Sequence, residues 1–149
     1  MTFETDSQVN LYRAILAKSH LTGVDLTGAT LSEAYISETH FSRAHLTGSD
    51  LSNSHFYKTD FTNADLSGAN LSGADLPSAI LTGAGLSGAS LIGANLFAAD
   101  FTGADLTGAD LSNARNLEHA MFDPGVREEL GLPPAASDNP ELDKAKSKP

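Results

Sequence analysis

The chain of 149 residues carries 19 acidic against 9 basic residues, a net charge of −10, and no cysteine. An acidic balance of that size speaks against direct binding of nucleic acid, which needs a basic patch to meet phosphate. Without cysteine there is neither a disulfide framework nor a thiolate metal site.

The N-terminal run MTFETDSQVN has no basic segment followed by an apolar stretch, so no signal peptide is expected. No apolar run approaches the roughly 18 residues of a membrane helix. These features predict a soluble, cytoplasmic protein without membrane association.

A five-residue period begins at Val9. Every fifth position from Leu11 to Leu111 gives 21 sites, and all of them hold Leu, Ile or Phe. Two residues before each stands a small or β-branched residue, and it is Ala at every site from Ala64 to Ala109. Period five matches neither the 3.6 of a helix nor the 2 of a long strand. It matches a short extended segment followed by a corner. The small and the large residue, two apart, point to one side, and the residue between them points out. The next two residues turn the chain. The second of these is Gly or Asn at 13 of 21 places, as the positive φ of a type II turn requires. The other eight carry Arg13, Lys18, Glu33, Glu38, Arg43, Lys58, Ser78 and Ala98. A different turn geometry is expected at those corners.

The run from Ala64 to Asn113, reading ADLSG, ANLSG, ADLPS and onward, resembles the A(D/N)LXX signature of the pentapeptide-repeat family. The resemblance extends from Val9 to Asn113. It implies an all-β fold, a right-handed quadrilateral parallel β-helix with four pentapeptides per coil. Residues 20 apart would then stack on adjacent coils. About five coils at roughly 4.8 Å each give a rod about 25 Å long.

Asn116 interrupts the register, and Leu117 and Phe122 resume it one residue late, with Ala120 two before Phe122. One inserted residue, read as a bulge, is expected near Ala114–Asn116. Beyond it, Asp123 reads as an N-cap, Pro124 as a first helical residue and Gly131 as a stop. Val126 and Leu130 share one face of that helix, which is suited to lid the open coil end. Phe3 is expected to lid the other end. The division is an N-terminal cap over 1–8, the β-helix over 9–122, a short capping helix over 123–132 and a disordered tail over 133–149.

The outward positions include Asp25, Asp50, Asp60, Asp65, Asp75, Asp100, Asp105 and Asp110. Acid–base work needs a pocket. A straight convex rod offers no cleft, so these side chains are expected to bond local turn backbone. His20 and His40, 20 apart, should stack, with Asp60 one coil beyond. Two imidazoles at that spacing could share a metal, but two ligands without a third make a poor site, and an exposed stacked pair is expected. Thr22, Ser32, Thr62 and Ser72 occupy the first corner position, and their repetition points to turn chemistry rather than nucleophiles. The glycines form no P-loop and no strand–GxGxxG–helix unit. No catalytic residue, cofactor or metal is expected, and the chain is not read as an enzyme.

A protein partner is the remaining class. On the side built on Leu16, Ile36, Phe56, Leu76 and Leu96, the first corner column reads Ala17, Ser37, Tyr57, Pro77, Phe97, where other sides carry mostly Ser and Thr. With Ile80 and Ile92 nearby, Tyr57, Pro77, Ile80, Ile92 and Phe97 should form one exposed apolar cluster, the candidate partner-binding surface. The C-terminal segment after Asn113 is the competing cover for that cluster. The rod is read as a monomer or weak homodimer.

The alternative comes from the family resemblance. Some members are gyrase-binding proteins whose acidic rods mimic DNA, as in quinolone resistance. From Thr59 to Asn113 the chain has six acids and no base, whereas Val9–Lys58 is balanced. A 25 Å stretch of duplex carries about 15 charges, well above six.

Overall fold

The computed structural model describes residues 8–138. Phe3, most of the expected N-terminal cap, and residues 139–149 of the expected tail lie outside the described residues.

The five-residue period closes a coil every twenty residues. Parallel bridges join each outward residue to the one twenty further on, from Asn10 with Thr30 to Asn95 with Arg115. Leu16 N–H donates to Tyr35 O at 2.8 Å, and Tyr35 N–H returns to Ala14 O at 2.9 Å; this exchange repeats up the rod. The sides are single-residue bridges, not longer strands. A five-residue side leaves room for one outward residue before the corner. The first side is centred on Leu11, Leu31, Leu51, Leu71, Leu91 and Leu111, and the second on Leu16, Ile36, Phe56, Leu76 and Leu96. The third is centred on Leu21, Phe41, Phe61, Leu81 and Phe101, and the fourth on Leu26, Leu46, Leu66, Leu86 and Leu106.

Those central residues and the Ala column fill the interior. Phe41 and Phe61 stack with centroids 5.4 Å apart, and Phe56 meets Phe61 edge-on at 5.3 Å. Thr39, Ser49, Ser54 and Thr59 stand where Ala would and are buried. Each hydroxyl donates to a backbone carbonyl: Leu16, Leu46, Leu31 and Ile36, at 2.6–2.8 Å. That satisfies the cost of burying them.

The corners correct the sequence reading. All eight sites at which another geometry was expected have positive φ, from 53° at Lys58 to 62° at Lys18, like the Gly and Asn sites. A turn bond of the kind Ala14 N–H to Leu11 O, 3.0 Å, recurs along the chain. The second corner N–H also donates to the next coil, as Lys18 does to Ser37 O at 3.0 Å. A corner with different φ would break that bond, so the stacking register overrides the left-handed preference of Gly. Glycine itself is required where Asn53 and Asn63 lie over the next coil. A Cβ at Gly73 or Gly83 would collide with their Oδ1 atoms.

The inserted residue is present but forms no bulge. Asp100 bridges Met121, twenty-one residues on. Asn116 takes φ 61°, and a 3-10 turn over Leu117–His119 absorbs the extra residue. Ala120 is buried and Phe122 stacks on Phe101 at 5.1 Å. Helix α1 spans Val126–Glu129, shorter than the expected 123–132, and Asp123 is not its N-cap. The Asp123 carboxylate instead accepts Gly103 N–H at 2.9 Å, a corner donor twenty residues below. Gly131 N–H to Glu128 O and Leu132 N–H to Arg127 O close α1 as a Schellman motif. Val126, Leu130 and Leu132 pack against the core. Arg127 holds this segment through Leu117 O at 2.9 Å, Ala120 O and Pro133 O at 2.7 Å, over the Phe122 ring. Among the described residues no helix is long and apolar enough to cross a membrane.

Candidate functional site

The coil register places Tyr57, Pro77 and Phe97 in one corner column at the end of the second side. Lys58 N–H donates to Pro77 O at 3.1 Å and Ser78 N–H to Phe97 O at 2.8 Å, so the three residues occupy successive coils. Ile92 stands at the corner that opens the second side. Ile80 lies just past the corner that closes it, bridged to Asp60 and Asp100. Tyr57, Ile80, Ile92 and Phe97 are exposed, and Pro77 is half-buried. Phe97 is not free of the C-terminal segment, because its ring lies 5.0 Å from that of His119. It is nonetheless 46% exposed, so His119 covers it only in part. Lys58 Nζ lies 5.2 Å from the Tyr57 ring centroid, a cation–π contact at the middle of the column.

The surface extends further than those five residues. Ile15 is 80% exposed, and Tyr12 and Tyr35 are also open. Ile15, Tyr35 and His55 form the outward column of the second side, and the Tyr35 and His55 rings stack at 4.8 Å. Of the exposed large apolar residues among those described, Tyr12, Ile15, Tyr35, Tyr57, Ile92 and Phe97 lie on the second side or its two corners. Ile80 and Met121 adjoin it, and Val9 stands at the start of the first side. None lies on the fourth side. The missed residues had a readable signal. Taken every twenty residues from Ile15, the outward column begins Ile15, Tyr35, where the other three columns begin Asn10, Thr30, then His20, His40, then Asp25, His45.

The outward carboxylates serve the corners. Asp60 Oδ1 accepts Thr62 N–H at 2.9 Å and the Thr62 hydroxyl at 2.6 Å, and Oδ2 accepts the Ser42 hydroxyl at 2.8 Å. Burial pushes the Asp60 carboxyl up. The bonds from Thr62 and Ser42, and then the charge of His40, outweigh it and leave the group below its usual value. Asp100 has the same balance, with Thr102 and Thr82 outweighing burial. The hydroxyls and amides of Thr27, Ser67, Thr107 and Ser112 hold Asp25, Asp65, Asp105 and Asp110 below the ordinary aspartate value. An acid held ionised by turn donors is suited to fixing a corner, not to giving up a proton near neutral pH. Of the candidate nucleophiles, Thr62 bonds Asp60 and Ser72 Oγ lies 2.8 Å from Ser90 Oγ.

His20 and His40 stack, with centroids 5.0 Å apart and planes within 2°, and His40 Nδ1 lies 3.9 Å from Asp60 Oδ2. Among the described residues no group of three or more His, Asp or Glu is placed to hold a metal ion. The six acids between Thr59 and Asn113 are spread around the rod. Asp75 is on the second side, Asp60 and Asp100 on the third, Asp65 and Asp105 on the fourth, and Asp110 on the first.

The expectation that the rod has no cleft fails at its C-terminal end. A groove of about 630 Å³ lies there among Glu118, His119, Phe122, Asp123, Arg127 and Glu128. Two smaller grooves flank α1.

A family model described as pentapeptide repeats matches eight copies over residues 7–43, 39–76 and 79–115. Among solved structures, a pentapeptide repeat protein from the Arabidopsis thaliana thylakoid lumen is 34% identical. That match has a TM-score of 0.64 and covers 66% of this chain and 69% of that one. Rfr23, a pentapeptide repeat protein from the cyanobacterium Cyanothece 51142, is 25% identical over 73% of this chain and 91% of its own, with a TM-score of 0.44. QnrB1, a plasmid-mediated fluoroquinolone resistance protein, is 20% identical over 83% of this chain and 71% of its own, with a TM-score of 0.36. The last two scores are too low to compare surfaces. The comparison with curated proteins gives no match.

Proposed function

Since the chain belongs to the pentapeptide-repeat family, we propose that it is a non-catalytic, right-handed β-helical scaffold whose second side binds a protein partner. The carrying observation is that, among the described residues, six of the nine exposed large apolar side chains lie on that side or its two corners. Apolar and aromatic side chains gathered on one face of a polar surface often mark an interaction site, with the aromatics as its anchors. Tyr35, Tyr57 and Phe97 are the proposed anchors, with Pro77, Ile80 and Ile92 around Tyr57 and Phe97. The C-terminal segment over residues 116–132 acts as the end cap. The chain is monomeric or a weak dimer.

The acidic, DNA-mimicking reading is the weaker one, because a duplex-like surface needs its charges aligned, whereas these six acids face four directions.

The test pairs two variants in a quantitative binding or self-association assay. Tyr57→Ser with Phe97→Ser should stay folded, since neither side chain points into the coil, and should lose partner or self-association. Asp25→Asn with Asp65→Asn, on the fourth side, should keep it. Loss only in the second variant, or unfolding of the first, would overturn the assignment to the second side.

A further inference from the structure

Within the rod, each side hands two backbone donors and one acceptor to the coil above. On the fourth side Leu86 N–H donates to Asp105 O and Gly88 N–H to Thr107 O, both at 2.8 Å, and Ala84 O accepts Asp105 N–H at 2.9 Å. On the first side Leu91 and Gly93 donate to Asp110 O and Ser112 O, and Ala89 O accepts Asp110 N–H. At the C-terminal end the second and third sides receive a further coil, through Arg115 and Met121. The fourth and first sides do not. Leu106, Gly108, Leu111 and Asn113 N–H have no acceptor among the described residues, and Ala104 and Ala109 O have no donor.

Helix α1 and the chain after it do not fill that edge. Val126 and Leu130 cover the core beside it, and a groove of about 360 Å³ lies between Leu106–Gly108 and Val126, Glu129 and Leu130. A second groove of about 470 Å³ runs between Leu111 and Leu117, Leu130 and Leu132. The charged residues lining the two grooves are Asp105, Glu129 and Asp110, and no base is among the lining residues.

We propose that this open edge binds an extended, basic peptide segment of a partner protein, which adds as a parallel strand in the position of the missing half-coil. The register sets the chemistry. Two carbonyls of each added five-residue unit meet the free N–H groups, and one N–H of the unit meets Ala104 or Ala109 O. The central residue of each unit faces the groove wall of Val126, Leu130 and Leu132, where an apolar side chain is the complementary choice. The outward residue of each unit then stacks over Asp105 or Asp110, where Lys or Arg is the complementary choice. Backbone pairing supplies affinity and alternate side chains supply selectivity, as in other strand additions to a sheet edge. A second copy stacked end to end does not fit, because α1 packs over the core at this end.

The probe is a synthetic decapeptide, Ala-Lys-Leu-Thr-Gly-Ala-Lys-Leu-Ser-Gly, added to the full chain and followed by amide hydrogen exchange. Exchange at Leu106, Gly108, Leu111 and Asn113 is expected to slow by about tenfold or more at saturation, while the already paired Leu86 and Gly88 stay unchanged and report an intact fold. Asp105→Asn with Asp110→Asn and Glu129→Gln keeps side-chain acceptors at the corners and removes three charges, and should weaken the peptide about tenfold. The proposal is overturned if the four amides stay unprotected at saturating peptide. It is also overturned if they are protected before peptide is added, which would mean that residues 139–149 already occupy the edge. Binding that perturbs Tyr57 and Phe97 instead would likewise count against it.

Discussion

At the residue scale, the corner positions carry the most direct information about what the coil demands. Lys18, Glu38, Lys58, Ser78 and Ala98 hold positive φ at one corner of five successive coils, without a glycine or asparagine among them. For an L-residue that conformation costs about 1–2 kcal/mol, partly offset by the lower chain entropy of a non-glycine residue in the unfolded state. Ala98 has no side-chain partner to lose, so Ala98→Gly should stabilise the protein by about 0.5–1 kcal/mol in chemical denaturation. Gly83→Ala at the next corner along should do the reverse, because its Cβ would meet Asn63 Oδ1 and its φ is 68°. Equal effects of the two changes would contradict the coil stacking described here. The five-residue alternation of small, outward and large residues was legible from the sequence because each pair is local. The uniform corner was not, because glycine preference is a tendency of isolated turns, whereas Lys58 and Ser78 are held by bonds to Pro77 O and Phe97 O of the next coil.

At the element scale, the Asp–Ser/Thr corners form a repeated device with a pH signature. Their carboxyls sit below the ordinary aspartate value of 3.8, held there at Asp65, Asp105 and Asp110 first by the hydroxyls of Ser67, Thr107 and Ser112. A group with a depressed folded pKa stabilises the fold above its unfolded pKa, and that stabilisation is lost as pH falls through the folded value. The melting temperature should therefore be flat from neutrality to about pH 5 and fall below about pH 4. A melting temperature that rose below pH 4 would show that these carboxylates do not hold the corners. The C-terminal elements were harder to read. Asp123 followed by Pro124 is a sound helix start by local rules, yet the Asp123 carboxylate is taken by Gly103 N–H, and α1 begins only at Val126. The extra residue near Asn116 was visible as a slipped period. Its conversion into a 3-10 turn was not, since that depends on Leu117 and Phe122 both regaining the core.

At the scale of the whole molecule, a stacked-coil rod works through what its sides display. Tyr57, Pro77, Ile80, Ile92 and Phe97 could be picked out because one corner column departs from Ser and Thr. Ile15 and Tyr35 went unseen because they fall in an outward column whose later members, His55 and Asp75, are polar. The second and fourth sides face opposite directions, which permits a direct comparison within one protein. A photoreactive benzoyl-phenylalanine is placed at Tyr57 in one variant and at Gly85 in the other. Gly85 lies in the outward column of the fourth side, where a Cβ meets only ordinary contacts. After irradiation in the native cell extract, a discrete crosslinked species of fixed mass is expected from position 57 and none from position 85. A discrete product from position 85 with none from position 57 would contradict the assignment of the binding face to the second side.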